Sequence, residues 1–300
     1  MTKPKLYYRQ KVLLSILQLF NKPIPAIDFQ KYLFLFTQEY QASPCYDFIP
    51  YKYGCFSYQS YADRRKLTEF GILAENQKWL FDDREEDYIS TLTDKDQDKL
   101  SLFKKEYEDL SGDPLVRYVY TQYPYYAIHS EIAGNLLNSS ELAFVDAERP
   151  SQNNYKFFTI GYEGNSLEHY LNRLIKNNVR LLCDVRKNPY SRKYGFTQSV
   201  LKDSVQNVGI EYFHMPELGI SSEKRRSLIS QDDYDELFNN YEKTTLKEEH
   251  DSLHTLFRLF KKLKRLAITC FESDHHQCHR SRVANAMCQL PYWKYTLEHI

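Results

Sequence analysis

The stretch FFTIGYEGNSLEHYLNRLIKNNVRLLCDVR, residues 157–186, decides the fold of the second half of this 300-residue chain. It opens with a short β-rich run, continues with apolar residues at helical spacing, and ends in a second β-rich run. A strand, a helix and a strand in this order form a parallel pair joined by a crossover helix. We therefore predict a parallel sheet with helices on its faces.

The same alternation continues to the end of the chain. IEYFHMPELG, residues 210–219, and KRLAITCFESD, residues 264–274, each contain a β-rich run. QSVLKDSVQNVG, residues 198–209, and RSRVANAMCQL, residues 280–290, have helical patterns. The predicted class is α/β, a three-layer Rossmann-like domain with a mostly parallel sheet.

The first half has a different, mainly helical pattern. Two helices are predicted on either side of the breaker NKPIP, residues 21–25, and a third in SYQSYADRRKLTEFG, residues 57–71. ILAENQKWLF, residues 72–81, has the pattern of two short strands around the turn AENQ. Three helices and a hairpin in this order predict a winged helix, which an acidic helical extension follows.

ELAFVDAERPSQNNYK, residues 141–156, marks the predicted boundary, because helical composition changes there to Pro, Ser and Asn. We expect a helical winged-helix-like domain with its acidic extension over residues 1–150 and the α/β domain over residues 151–300. Residues 1–81 hold 11 Lys and Arg against 6 Asp and Glu, whereas residues 82–150 hold 7 against 16. An acidic segment therefore lies between two mildly basic ones.

Composition excludes several classes of protein. With 42% hydrophobic and 27% charged residues, the chain is typical of a globular protein, so disorder is not expected. We expect neither export nor a membrane partner, because the N-terminus lacks a signal-like apolar run and no segment is long enough to cross a bilayer. Six scattered cysteines predict free thiols in a reducing compartment, and hence a cytoplasmic protein.

Polar or turn residues follow the predicted strands of the second half, in GYEG, DVRKNP, PELG and CFESD. The carboxyl ends of parallel strands share one edge of a sheet, and ligands bind there. We predict one site at this edge, with Asp184 and Glu272 dividing general acid and base work. The alternative is that Asp184 only caps its loop or pairs with Arg186.

The start of the last predicted helix indicates an anion site. Unpaired backbone N–H groups and the helix dipole favour negative charge near Cys278, His279 and Arg280. Arg280, together with Arg186 or Arg192, would hold a phosphate. The same position predicts a low pKa for the Cys278 thiol and hence a nucleophile, with a buried structural thiol as the alternative.

Zinc is another interpretation of CFESDHHQCHR, residues 270–280. It fits poorly, because no C-x-x-C pair is present and the cysteines and histidines are divided between a strand and a helix start. The sequence therefore predicts neither a metal nor a cofactor. His275 and His276 are interpreted as solvated loop residues.

Four motifs follow one another over about residues 155–290: TIGYEG, DVRKNPYSRKYGF, GIEYFHMPELG and CFESDHHQCHRSRVA. In this order they resemble an uncharacterised bacterial family, domain of unknown function 488. The resemblance implies an enzyme-like set of polar residues and leaves the substrate open. It carries over to Asp184, Arg186, Pro189, Ser191 and Arg192 in the second motif and to Glu272, Cys278, His279 and Arg280 in the last.

In the first half, FQKYLFLF, YDFIPYKYGCFS and LTEFGIL resemble Panacea-type winged-helix antitoxins and regulators. The resemblance covers about residues 25–75 and rests mostly on hydrophobic pattern. A winged helix of this kind would place Arg64, Arg65 and Lys66 of its third helix against nucleic acid.

These features favour an enzyme, either a hydrolase or a group transferase, acting on a nucleotide or a nucleic acid. Its phosphate would be held by Arg186, Arg192 and Arg280, with Ser191 and Tyr162 completing the anion-binding set. The alternative is a non-enzymatic DNA-binding regulator whose α/β domain senses an anion. An interaction module is a third hypothesis, although most of the 26 tyrosines are expected to serve packing. The sequence does not predict the oligomeric state.

Overall fold

The structure is a computed structural model that describes residues 4–75, 78–82, 86–221 and 230–300. Contacts between residues divide the chain into two compact units, Met1–Arg149 and Pro150–Ile300. The first unit is mainly helical, and the second contains a five-stranded sheet.

Helices form most of the first unit. Asn21, with φ of 44°, ends the first helix at the predicted breaker, because Asn tolerates the left-handed conformation. The second helix continues into a π-helical turn, Phe36–Tyr40. The helices are α1 (Tyr8–Phe20), α2 (Ala26–Leu35), α3 (Tyr58–Glu69), α4 (Asp94–Tyr107), α5 (Asp113–Gln122), α6 (Ala133–Leu136) and α7 (Ser139–Ala147).

A two-stranded hairpin lies before α3. Its strands, β1 (Ile49–Tyr51) and β2 (Gly54–Phe56), pair antiparallel, and Gly54 adopts φ of 95° directly after the turn. Sequence patterns did not predict this hairpin, because strands of three residues, one of them containing Pro50, are too short to show alternation.

The residues expected to form a hairpin after α3 do pair antiparallel. The backbone N–H of Ala74 donates to the carbonyl of Leu80, and that of Asp82 donates to the carbonyl of Ile72, both at 3.0 Å. Trp79 also pairs with Ile24 through two backbone hydrogen bonds of 2.9 and 3.0 Å. The described residues thus contain the predicted pairing after α3 and, in addition, the β1–β2 hairpin before it. The expected turn at residues 76–77 lies outside the described residues.

A parallel sheet forms the centre of the second unit, as predicted. Its strands are β3 (Lys156–Gly161), β4 (Leu181–Asp184), β5 (Glu211–His214), β6 (Arg265–Cys270) and β7 (Thr296–His299). They lie in the order β5, β4, β6, β3, β7, and every neighbouring pair is parallel. The helices of this unit are α8 (Leu167–Lys176), α9 (Gln198–Gln206), α10 (Gln231–Lys243), α11 (Thr245–Glu248), α12 (His250–Leu263) and α13 (His279–Cys288).

Helices cover both faces of this sheet. Ile268 of β6 belongs to a hydrophobic cluster with Leu256 of α12 and Val283 of α13. Its neighbour Thr269 points to the other face and accepts a 2.8 Å hydrogen bond from the hydroxyl of Tyr170 on α8. Because β4 and β6 are buried along their whole length, their sequences are nearly continuous apolar runs.

The edge strand β7 was not predicted from the sequence. It is partly exposed, and its short polar sequence lacks the apolar run of a buried strand. His299 at its end approaches the hydroxyl of Thr159 on β3, with 2.7 Å between Nδ1 and Oγ1, and stacks on His275 at 3.6 Å between ring centroids. His275 is therefore partly packed rather than fully solvated.

None of the helices in the described part of the chain has the length and the apolar character needed to cross a membrane.

We predict that replacing His299 with Gln reduces the acid sensitivity of the second unit. Burial, followed by the positive charges of His275, Arg280 and His276, lowers the pKa of His299 to about 4. As the pH falls, His299 of the unfolded chain therefore binds a proton near pH 6.5, whereas His299 of the folded protein does so only near pH 4. This contribution to stability is present above pH 6.5 and is lost as the pH falls towards 4.

Urea unfolding at neutral pH and at about pH 5 measures the effect. The loss of stability between the two should be smaller in His299→Gln than in the native protein. Equal losses in both proteins would contradict the predicted role of His299.

We predict that Gly161→Ala destabilises the second unit by about 1–3 kcal/mol, because a Cβ atom there would overlap the backbone carbonyl of Glu272. Gly134→Ala is the control, since a Cβ atom at Gly134 on α6 meets open space. Urea unfolding should show a lower midpoint for Gly161→Ala alone. A midpoint equal to that of the native protein would show that the 272 loop moves aside without cost.

Candidate active site at the carboxyl edge of the sheet

The carboxyl ends of three neighbouring strands bring the predicted site residues together. β3, β4 and β6 are parallel and adjacent, so Gly161, Asp184 and Cys270 end at the same edge of the sheet. Tyr162 directly follows the first of these ends, and Glu272 follows the third after one residue. The predicted convergence of distant segments is thus present in the structure.

Asp184 and Arg186 form a buried ion pair at this edge. The guanidinium donates from Nε at 2.8 Å and from Nη2 at 2.5 Å to the Asp184 carboxylate. Tyr212 on β5 donates a further hydrogen bond of 2.7 Å to the same carboxylate. Arg186 also donates from Nη1 to the hydroxyl of Tyr162 at 3.0 Å and to the carbonyl of Phe196 at 2.8 Å.

This pair holds Arg186 in its charged form. Burial by itself would lower the pKa of Arg186, but the hydrogen bonds and the charge of Asp184 raise it above its ordinary value. The Asp184 carboxylate is fully buried and accepts from the Arg186 side chain, the Arg186 backbone N–H and Tyr212. Its geometry corresponds to the alternative that the sequence left open, a structural pairing with Arg186.

A cluster of two thiols and an imidazole lies beside the ion pair. This thiol–imidazole cluster consists of Cys270, Cys278 and His279, which are all buried. Nδ1 of His279 lies 3.5 Å from Sγ of Cys270 and 4.0 Å from Sγ of Cys278. Nε2 of His279 lies 3.0 Å from the carbonyl oxygen of Val185. Because a carbonyl only accepts, we assign the proton to Nε2, so the lone pair of Nδ1 faces the two sulfur atoms.

Cys278 does not have the low pKa that its place at a helix start predicts. Burial raises the pKa of its thiol well above the ordinary value, and the neighbouring Cys270 and Glu272 raise it further. Arg280 lowers it, but by less. Desolvation of a thiolate therefore outweighs the helix N-terminus, and the expectation of a low pKa is wrong for this environment.

Arg280 binds the loop after β6 rather than lining a solvent-filled space. It is 2% exposed and donates to the backbone carbonyls of Glu272 and of Ser273, the latter at 2.9 Å. The side chain of Glu272 turns towards the cluster, where one carboxylate oxygen accepts from the Cys270 thiol at 3.3 Å. Arg280 thus positions Glu272, whose carboxylate is partly exposed.

A cleft of about 700 Å³ opens beside the cluster. Cys270 and His279 form part of its wall, whereas Asp184, Glu272 and Cys278 are not among the residues that line it. The lining residues are Tyr162, Arg186, Lys187, Asn188, Tyr190, Ser191, Arg192, Ile220, Cys270, Phe271 and His279. These described residues include three cations and no carboxylate.

The cleft contains residues to which the sequence gave no role in substrate binding. Lys187 lines it, and so does Cys270, which the sequence offered only as a candidate zinc ligand. Lys193 donates from Nζ to the carbonyl of Tyr162 at 2.9 Å and so braces the β3 end. The lysines lie within the quoted motif DVRKNPYSRKYGF, but only the fold shows which of its side chains line the cleft and which brace its wall.

The basic residues of α3 lie in the first unit, and two of them make contacts with other residues. Lys66 forms an ion pair with Glu69 at 2.8 Å. Arg64 donates to the carbonyl of residue 78 at 3.2 Å and covers the ring of Trp79 at 5.1 Å. Arg65 is exposed. A nucleic-acid surface on α3 therefore stays a prediction.

Residues 166–287 match the model of a known family, described as Domain of unknown function DUF488. The second unit carries a DUF488 domain. The match confirms the resemblance of the second half and begins after the first of the four motifs, TIGYEG. No curated protein and no solved structure gives a significant match to the chain. The winged-helix resemblance of the first half stays a prediction.

We predict that Asp184→Asn destabilises the DUF488 domain by about 3–5 kcal/mol, because it leaves the buried charge of Arg186 without its partner. Asp203→Asn on α9 is the control, since that carboxylate is exposed. Replacing both members of the pair, as Asp184→Leu with Arg186→Met, should cost less than Asp184→Asn alone. Urea unfolding measures all three variants, and a change below about 1 kcal/mol in Asp184→Asn would contradict the prediction.

Proposed function

We propose that the DUF488 domain is an enzyme, a hydrolase or group transferase, that acts on a phosphate-bearing substrate such as a nucleotide or a nucleic-acid strand. One observation carries this proposal. A cleft with cationic walls adjoins the buried thiols and imidazole of the cluster and the partly exposed Glu272, at the carboxyl edge of a parallel sheet. The site provides binding groups for an anion and reactive groups within reach of it.

The charge of the cleft supports an anionic substrate. Lys187 and Arg192 are exposed at its wall, and no Asp or Glu occurs among its described lining residues. Arg192 can grip two phosphate oxygens at once through its planar guanidinium. The hydroxyl of Ser191 adds a hydrogen-bonding group, and the exposed ring of Tyr190 adds a stacking surface for a nucleotide.

The two carboxylates have different roles in this proposal. Asp184 is buried and accepts hydrogen bonds from Arg186 and Tyr212, so we assign it to holding Arg186 in the wall. Glu272 is partly exposed and next to the cluster, which suits proton transfer. We therefore assign proton transfer to Glu272 alone, in place of the pair of Asp184 and Glu272 that the sequence predicted.

A DNA-binding regulator is the weaker alternative. It would depend on the basic residues of α3, where Lys66 pairs with Glu69 and Arg64 covers Trp79. These contacts do not prevent DNA binding. They do engage two of the three basic side chains of α3, whereas Lys187 and Arg192 are exposed at the wall of the cleft. We therefore favour the enzyme.

Binding and turnover by the full-length chain test this function. We predict that Arg192→Gln weakens binding of inorganic phosphate or nucleoside phosphates by about 10-fold or more, because a charged hydrogen bond is lost. Lys202→Gln, an exposed cation on α9 that does not line the cleft, is the control and should bind as the native protein does. Calorimetric titration at low and raised salt measures both.

Turnover separates an enzyme from a binding protein. With nucleotides and short single-stranded oligonucleotides as substrates, Glu272→Gln should abolish product release and keep the substrate affinity within a few fold. Native affinity in Arg192→Gln, or the absence of product with every nucleotide and oligonucleotide, would overturn the proposed function.

A further inference from the structure

We propose that the thiol–imidazole cluster is a binding site for a borderline-soft divalent cation of the Zn²⁺ class. Cys270, Cys278 and His279 each offer one ligand atom, and these three atoms lie within 4.8 Å of one another. Two thiolates would balance the charge of a divalent cation inside the protein. The sequence disfavours zinc because the ligands belong to a strand and a helix start, yet the fold brings these two elements together.

The distances match a tetrahedral ion. With zinc at about 2.3 Å from sulfur and about 2.05 Å from nitrogen, tetrahedral geometry separates sulfur from nitrogen by about 3.6 Å. The two separations in the cluster, from Nδ1 of His279 to Sγ of Cys270 and of Cys278, are 3.5 and 4.0 Å. Small shifts of the side chains would complete the coordination.

The surroundings of His279 are those of a metal ligand. A histidine that binds a metal commonly donates its other ring N–H to a carbonyl or carboxylate, which fixes the ring and its tautomer. Nε2 of His279 lies 3.0 Å from the carbonyl oxygen of Val185, so Nδ1 is held with its lone pair towards both sulfur atoms.

The position of the cluster indicates an open coordination site. Catalytic zinc sites use three protein ligands and leave the fourth position to water or substrate. Cys270 and His279 also line the cleft, so an ion between the ligand atoms would be reached from it. The Glu272 carboxylate, 3.3 Å from Sγ of Cys270, is not one of the mutually close ligand atoms found among the described residues.

A role for the ion rests on the proposed function, whereas the site itself does not. An ion with an open position towards the cleft would polarise a phosphate oxygen or lower the pKa of a bound water. Glu272 would be the neighbouring group that accepts a proton from that water. The roles of Cys270 and Cys278 would then be to bind the metal, and neither thiol would act as a nucleophile.

The test uses the full-length chain, purified with a reductant and without a chelator. Elemental analysis should find one zinc per chain, and Co²⁺ added to the metal-free protein should give thiolate-to-cobalt charge-transfer bands with the strong visible bands of a tetrahedral site. Loss of a second-shell partner weakens metal binding about 10- to 100-fold, so loss of a ligand should lower the Co²⁺ affinity by at least about 100-fold. The ligand variants are Cys270→Ser, Cys278→Ser and His279→Gln.

Two controls separate ligation from folding. Cys288→Ser on α13 and His276→Gln in the loop remove a thiol and an imidazole outside the cluster and should keep native affinity for Co²⁺. His279→Gln retains an amide that can donate to the carbonyl of Val185 while it removes Nδ1, so its circular dichroism should stay native.

Two results would overturn the metal site. They are the absence of stoichiometric zinc and of the cobalt spectrum in reduced protein, and native Co²⁺ affinity in both Cys278→Ser and His279→Gln. Phosphate binding by the metal-free protein that still depends on Arg192 would support the proposed function separately. Metal without any phosphate or nucleotide binding would support the site and remove the proposed function.

Discussion

The buried ion pair of Asp184 and Arg186 is the interaction on which the geometry of the DUF488 domain depends. A guanidinium taken out of water must have its charge balanced and its N–H groups bonded, or its desolvation is not offset. Arg186 meets this condition because β4, the end of β3 and the loop before α9 supply its partners Asp184, Tyr162 and Phe196. Tyr212 on β5 completes the arrangement by donating to Asp184. The charge thereby ties four segments together, and one wall of the cleft is the result.

The backbone of residues 184–186 also orients the reactive groups. Val185 lies between the two members of the ion pair, and its carbonyl faces Nε2 of His279. Holding the backbone of residues 184–186 in place therefore fixes the direction in which the imidazole presents Nδ1. The structural ion pair at Asp184 thereby determines which ring nitrogen of His279 faces the thiols of Cys270 and Cys278.

Much of this fold is readable from the sequence, and the reason is burial. β4 and β6 are covered on both faces, so their apolar runs are unmistakable, and their parallel order places Asp184 and Cys270 at one edge. Partly exposed β7 and the three-residue strands β1 and β2 leave no comparable pattern. Short or solvated strands are held by their neighbours rather than by their own residues.

The roles within the site were less predictable. Asp184 and Glu272 look alike in the sequence, and only their partners separate a paired, buried carboxylate from a partly exposed one. Whether Cys270 and Cys278 approach one imidazole depends on how a strand end meets a helix start across the sheet edge. Such distances are set by tertiary packing, which spacing along the chain does not encode.

The hydrogen bonds from Arg280 to the loop after β6 bear on how far the length of that loop can change. Its contacts to the carbonyls of Glu272 and Ser273 anchor the loop where it leaves the sheet, and α13 anchors it at Cys278. Residues 274–277 lie between these two fixed ends. Insertions or deletions there would lengthen or shorten an outer bulge without displacing the sulfur atoms, so relatives of different loop length could keep one and the same chemistry.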